Sequence, residues 1–116
     1  MGSQSGQWHV IHEHHESLTI PPTWHKADHG LAYKAPGRSR EGIWFLAQFV
    51  GEEVPRAAKM LTKVSPHIRE WELVRKQQVT YYAVWVEKGA KRAIRIRVPK
   101  SQQTLGQTVL GSWQPG

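Results

Sequence analysis

The 116-residue chain contains no cysteine. This absence excludes disulfide frameworks, thiol nucleophiles and zinc or iron–sulfur sites with cysteine ligands, and it is compatible with a reducing cytoplasm. Long hydrophobic runs are also missing. No segment approaches the roughly 20 apolar residues of a membrane span, and the N-terminus does not resemble a signal peptide. We therefore expect a soluble, cytoplasmic protein with no membrane attachment.

Acidic residues are scarce, with 9 Asp and Glu against 16 Lys and Arg, and the formal net charge is +7. Such an excess favours a polyanionic partner, nucleic acid above all, although a basic surface can also serve solubility alone. The hydrophobic content of 39% is enough for one modest core. Residues 1–40 are rich in His, Ser, Pro and Gly and keep no regular period, which predicts a His- and Pro-rich, partly irregular N-terminal arm. Residues 41–116 are expected to form a single small α+β domain.

The clearest secondary-structure signal is a β-hairpin near the C-terminus. Residues 79–86 and 93–98 are rich in β-branched and aromatic side chains with a period of two, and residues 87–92 form a basic tip between them. In the second strand the alternation directs the apolar residues toward the core and Arg95 and Arg97 away from it.

Two other segments fit either a helix or a strand. Residues 42–50 are strongly apolar, and Gly51 suits the end of a helix, whereas their aromatic side chains suit a central strand. Residues 69–76 follow Ser65 and Pro66, which suit the N-cap and first position of a helix, but charged and apolar residues also alternate there as in a strand. We favour a helix for both segments.

A pattern of two short helices separated by a turn precedes the hairpin. The small residues Ala57 and Ala58 lie in the first helix, and Ile68 and Trp71 lie on one side of the second. These residues resemble the helix-turn-helix of winged-helix bacterial regulators, over about residues 54–98 when the hairpin is taken as the wing. The resemblance implies an α+β fold in which short helices precede an antiparallel β-hairpin or small sheet.

The resemblance also implies a DNA-binding regulator of transcription, or an accessory factor of a mobile element, that could form a homodimer. Duplex DNA is the favoured partner, with RNA or single strands as alternatives, and we expect no cofactor, no metal and no catalysis. The recognition helix would contact bases or phosphates, and the flanking and hairpin cations would contact the backbone. The candidate nucleic-acid-binding residues are Arg56, Lys59, Lys63, His67, Arg69, Glu70, Lys76, Lys88, Lys91, Arg92, Arg95 and Arg97.

Histidines are concentrated in the first quarter of the chain. They could form a zinc site, but a polar arm that binds metal adventitiously is the favoured interpretation. The same histidines support a small metal-independent ribonuclease, with His25 or His29 moving a proton near Lys34 and Arg38. Arg95, Arg97 and Tyr82 on the sheet complete this candidate set. The fold would then be a strand, a helix and a three-stranded antiparallel meander, which resembles the ribonuclease toxins of toxin–antitoxin systems. No motif assigns catalytic residues.

The six tryptophans raise a further alternative. Trp85 shares a strand face with Tyr81 and could form an aromatic platform for bases beside Arg95 and Arg97. Cross-strand packing within the core is the favoured explanation of this pair. A protein-interaction module whose basic surface is incidental remains the third functional class, after the nucleic-acid-binding protein and the ribonuclease.

Overall fold

The computed structural model describes residues 7–13, 15–27, 32–36, 40–46, 54–61, 66–87 and 90–115. Within these ranges the chain forms nine strands, a 3-10 turn at Lys100–Gln102 and one α-helix, α1 (Gln103–Gly111). The strands are β1 (His9–Glu13), β2 (Glu16–Ile20), β3 (His25–Lys26), β4 (Ala32–Lys34), β5 (Gly42–Leu46), β6 (Lys59–Met60), β7 (Ile68–Val74), β8 (Gln78–Glu87) and β9 (Ala90–Pro99).

Seven of these strands form one antiparallel sheet in the order β3-β4-β5-β9-β8-β7-β6, and β1 and β2 form a separate hairpin. The long strands β8 and β9 pair from Gln78 opposite Pro99 to Glu87 opposite Ala90. This confirms the predicted pair of strands, whose signal is local because both carry the period of two. The predicted basic tip over residues 87–92 is wrong in its bounds, because Glu87 belongs to β8 and residues 90–92 belong to β9.

The core lies between one face of the sheet and a layer made of α1 and the β1–β2 hairpin. Alternate residues of β5, β8 and β9 point toward this layer because successive side chains of a strand lie on opposite faces. The buried side chains that form the core are Leu18, Ile20, Trp24, Ile43, Phe45, Val79, Tyr81, Ala83, Ile94, Ile96, Val98, Val109, Leu110 and Trp113.

Helix α1 approaches the sheet closely at a glycine. A Cβ atom on Gly106 would lie 2.9 Å from a ring carbon of Tyr81 and 2.9 Å from a methyl carbon of Val98. Since both neighbours are fully buried, a larger residue at this position would push the helix away from the sheet.

The β1–β2 hairpin is attached to the C-terminal segment by specific hydrogen bonds. Ser17 and Gln114 exchange backbone hydrogen bonds of 3.0 and 2.9 Å, and the indole Nε1 of Trp113 donates to Oε1 of Glu16 at 3.0 Å. Leu18 is completely buried. Part of the segment expected as an N-terminal arm therefore belongs to the hydrophobic core.

The structure corrects the predicted helix-turn-helix. Residues 54–61 contain turns and the two-residue strand β6, and residues 68–74 form β7, which pairs with β8 along its whole length. The physical reason is the neighbouring strand. Pairing with β8 satisfies the backbone hydrogen-bonding groups of β7 and buries Leu73. In a helix that buries Trp71, Leu73 would face solvent.

The helix predicted for residues 42–50 is also wrong where the structure describes it. Residues 42–46 form β5, in which Ile43 and Phe45 are 0% and 6% exposed on the core face. The alternative fold is wrong as well: its meander strands exist, but residues 54–61 do not form its helix, and the structure is mostly β. Residues 47–50 and Gly51 lie outside the described part of the chain.

Candidate nucleic-acid interface

The face of the sheet opposite α1, which we call the outer face, carries a row of large side chains. Register places Trp44 of β5 opposite Arg95 of β9, Arg95 opposite Tyr82 of β8, and Tyr82 opposite Trp71 of β7. Each strand contributes the residue that alternates with its core-facing neighbours. Three aromatic rings and a guanidinium therefore lie side by side across four strands; we call Trp44, Arg95, Tyr82 and Trp71 the aromatic row.

Two arginines of β9 contact the first ring of this row. The Cζ atom of Arg95 lies 4.8 Å from the centroid of the Trp44 ring, and that of Arg97 lies 5.7 Å from it. The Nε of Arg97 also donates to Oγ1 of Thr80 at 3.3 Å. These cation–π contacts hold both guanidinium groups against the sheet instead of leaving them extended into solvent.

The charge of this pair is not neutralised locally. Neither Arg95 nor Arg97 forms an ion pair with a carboxylate of any described residue, and the Nε of Arg95 is buried without a hydrogen-bond partner among the same residues. Burial, followed by the charge of Arg97, lowers the pKa of Arg95, while Tyr82 opposes this shift. Since arginine remains charged at neutral pH even so, the outer face holds two adjacent positive charges that an anion would stabilise.

The two tryptophans of the aromatic row are more accessible than its tyrosine. Trp44 and Trp71 are half-buried, as are Arg95 and Arg97, whereas Tyr82 is 5% exposed. The two indole rings are therefore the more accessible aromatic rings of the row, and Arg95 and Arg97 already contact that of Trp44.

A cavity of about 510 Å³ opens beside the Trp71 end of the row. Its walls are mainly apolar, with two basic side chains among them. The residues that line it include Val54, Pro66, His67, Arg69, Trp71, Val84 and Val86. The cavity therefore joins an aromatic surface to positive charge.

The structure brings together only some of the residues predicted to bind nucleic acid. Arg69, Lys91, Arg95 and Arg97 lie on the outer face by strand register, and His67 lines the cavity beside them.

Other predicted residues lie elsewhere. Arg56, Lys59 and Lys76 are exposed, in a turn, on the edge strand β6 and in the β7–β8 turn respectively. Glu70 and Arg92 point to the opposite face of the sheet, where burial raises the pKa of Glu70 and the Cζ of Arg92 lies 5.8 Å from the Trp85 ring centroid. Lys63 and Lys88 fall outside the described residues.

The alternative platform of Tyr81 and Trp85 beside Arg95 and Arg97 is wrong. Tyr81 is fully buried under α1, and Trp85 packs partly buried against the same core. Burial, followed by the charge of Glu72, raises the pKa of Tyr81 to about 12, although Gln107 opposes this shift.

Two aromatic residues of the row, Trp44 and Trp71, were missed, because helices were favoured for the segments that contain them. A strand interpretation of both segments would have placed Trp44 on the face opposite Ile43 and Phe45, and Trp71 on the face opposite its neighbours, although the order of the strands would still have been unknown.

The histidine-rich segment offers no assembled metal site where the structure describes it. His9, His12, His15 and His25 are exposed, and no three metal-binding side chains come together within the described ranges. His14 and His29 are outside those ranges. For the ribonuclease alternative, His25 pairs with Lys34 across β3 and β4, while Arg38 lies outside the described residues.

Comparison with models of known protein families found no match, and a search of curated proteins found none either. No helix in the described ranges has the length and apolar character needed to cross a membrane.

Proposed function

We propose that this protein binds single-stranded nucleic acid, either RNA or single-stranded DNA, on the outer face of its sheet. The observation that carries the proposal is the contact of Arg95 and Arg97 with the Trp44 ring, in the same cross-strand row as Trp71. Adjacent guanidinium groups suit phosphates, and indole rings suit the faces of unpaired bases. Both requirements of a single strand are met on one surface.

Single strands are favoured over a duplex because of how the rings are presented. In a duplex the bases are stacked on one another, so their faces are not available to Trp44 or Trp71, whereas an unpaired strand can place bases on both. The half-buried arginines also lie against the Trp44 ring, a position that suits a flexible backbone lying over the face. The proposal includes a cytoplasmic location, where RNA and transient single-stranded DNA occur.

The test is a titration of labelled single-stranded RNA, single-stranded DNA and duplex DNA of equal length, followed by fluorescence anisotropy at several salt concentrations. The wild type should bind a single strand more tightly than the duplex. Arg95→Gln combined with Arg97→Gln should weaken single-strand binding by about tenfold or more, which corresponds to about 1.4 kcal/mol. The salt dependence should fall by about 1.4 in the slope of log affinity against log salt, because each phosphate contact on a single strand contributes about 0.7.

A charge-matched control separates this face from general basicity. Lys59→Gln combined with Lys100→Gln removes the same charge from two exposed positions off the outer face, and it should change affinity by less than the arginine pair does. The proposal is wrong if both double variants bind equally well, or if duplex DNA binds as tightly as single strands. RNA that remains intact on a gel after incubation would separate binding from ribonuclease activity.

A further inference from the structure

The cavity beside Trp71 is continuous with the proposed binding surface. Trp71 belongs both to the aromatic row and to the cavity wall, and Arg69 lies two residues away on the same face of β7. A strand that stacks on Trp71 from the row therefore has the cavity directly beside it.

The lining of the cavity specifies a ligand with two different ends. The valine side chains and the indole of Trp71 offer apolar and aromatic contacts to a flat ring, whereas Arg69 is exposed and forms no ion pair with a described carboxylate. An entirely apolar ligand would leave the guanidinium unused, and a simple anion would leave the apolar walls unfilled. A nucleotide combines a flat heterocyclic ring with a phosphate and satisfies both.

The volume is consistent with such a ligand. Small-molecule sites in proteins usually enclose between about 300 and 1,000 Å³, and this cavity is about 510 Å³. The cavity is therefore within the size range of sites that hold one small ligand.

We infer that the cavity holds one unstacked nucleotide of the bound strand, with its base against Trp71 and its phosphate at Arg69. This inference rests on the proposed single-strand binding, and it adds to it a defined pocket for a single nucleotide, separate from the Arg95 and Arg97 contacts.

The experiment uses uridine 5′-monophosphate and adenosine 5′-monophosphate as probes, with uridine and inorganic phosphate as partial ligands, and follows the amide signals of Trp71, Arg69 and Val86 by NMR. Both monophosphates should shift these signals in a saturable way and more strongly than uridine or phosphate alone. Arg69→Gln should weaken monophosphate binding several-fold while leaving the weaker uridine binding unchanged, because only the phosphate contact is lost.

A cavity-filling variant gives an independent test. Val86 lines the cavity and is 42% exposed, so Val86→Trp can obstruct part of the cavity without entering the core. It should abolish monophosphate binding. The matched control is Val10→Trp, at an exposed strand position on the β1–β2 hairpin, and it should leave binding unchanged.

The outcomes distinguish this inference from the proposed function. If single strands bind through Arg95 and Arg97 but no monophosphate binds, or if Val86→Trp has no effect on monophosphate binding, the pocket inference fails and the proposed function stands. Equal shifts from inorganic phosphate and from the monophosphates would show an anion site only and would also overturn the inference. If Arg95→Gln with Arg97→Gln leaves single-strand affinity unchanged, the proposed function fails first.

Discussion

Replacing Gly106 with alanine tests how closely α1 packs on the sheet. The added Cβ would lie 2.9 Å from both a ring carbon of Tyr81 and a methyl carbon of Val98, and 3.2 Å from a second ring carbon of Tyr81. Neither neighbour can swing into solvent, because both are 0% exposed. Overpacking of this kind costs about 1–3 kcal/mol, and the higher helix propensity of alanine returns up to about 1 kcal/mol. We therefore expect a net loss of about 1 kcal/mol in the free energy of unfolding.

The matched control is Gly111→Ala at the end of the same helix. A Cβ at Gly111 meets nothing within 4 Å, so no steric overlap offsets the higher helix propensity of alanine. The free energy of unfolding should stay the same or rise by less than about 1 kcal/mol. Urea unfolding followed by tryptophan fluorescence measures both variants. A Gly106→Ala protein as stable as the wild type would show that α1 is free to move away from Tyr81 and would refute the packing described here.

Three further predictions concern Tyr81, Gly42 and Arg95. Burial raises the pKa of Tyr81 to about 12, so the stability contributed by its neutral form should be complete below pH 10 and lost as the pH rises toward 12. Between pH 8 and pH 11, chemical unfolding should show a larger fall in the free energy of unfolding for the wild type than for Tyr81→Phe. Gly42→Ala should cost at least about 2 kcal/mol in a thermal melt, because φ is +142° and the new Cβ would collide with the backbone oxygen of Tyr33. Arg95→Met removes a half-buried charge beside Arg97, so the free energy of unfolding should stay equal or rise. The increase in that free energy on adding salt should be smaller than in the wild type, because less charge remains to be screened. A marked loss of stability would contradict this reasoning.

The hairpin of β8 and β9 could be predicted from the sequence because its information is local. Both strands carry β-branched residues with a period of two, and the alternation correctly separated Arg95 and Arg97 from the core residues of β9. The position of Arg95 and Arg97 away from the core was therefore predictable from one strand alone.

The positions of Trp44 and Trp71 beside the arginines were not predictable in the same way, because they depend on pairing between distant segments. Ser65 and Pro66 form a local signal for a helix start, yet residues 68–74 pair with β8. The burial gained by packing across strands outweighs this local helical preference. Trp44 was missed for the same reason, since only the pairing of β5 with β4 and β9 shows that Trp44 lies beside Arg95. The burial of Leu18 beneath the sheet likewise depends on contacts with the C-terminal segment.

The register that the core imposes also determines which ligands the outer face can hold. If β9 slipped by one residue, Ile94 and Arg95 would exchange faces, so the buried residues of β9 fix the arginines beside Trp44. Trp44 and Trp71 are separated by three strand spacings, or about 14 Å at the usual distance between strands. No single base can stack on two rings that far apart, and a rigid sheet cannot bring them together. A ligand that stacks on both rings must therefore carry two rings about that far apart. A short single strand meets this requirement and a free nucleotide does not, which is the reason we propose a single strand as the ligand of this face.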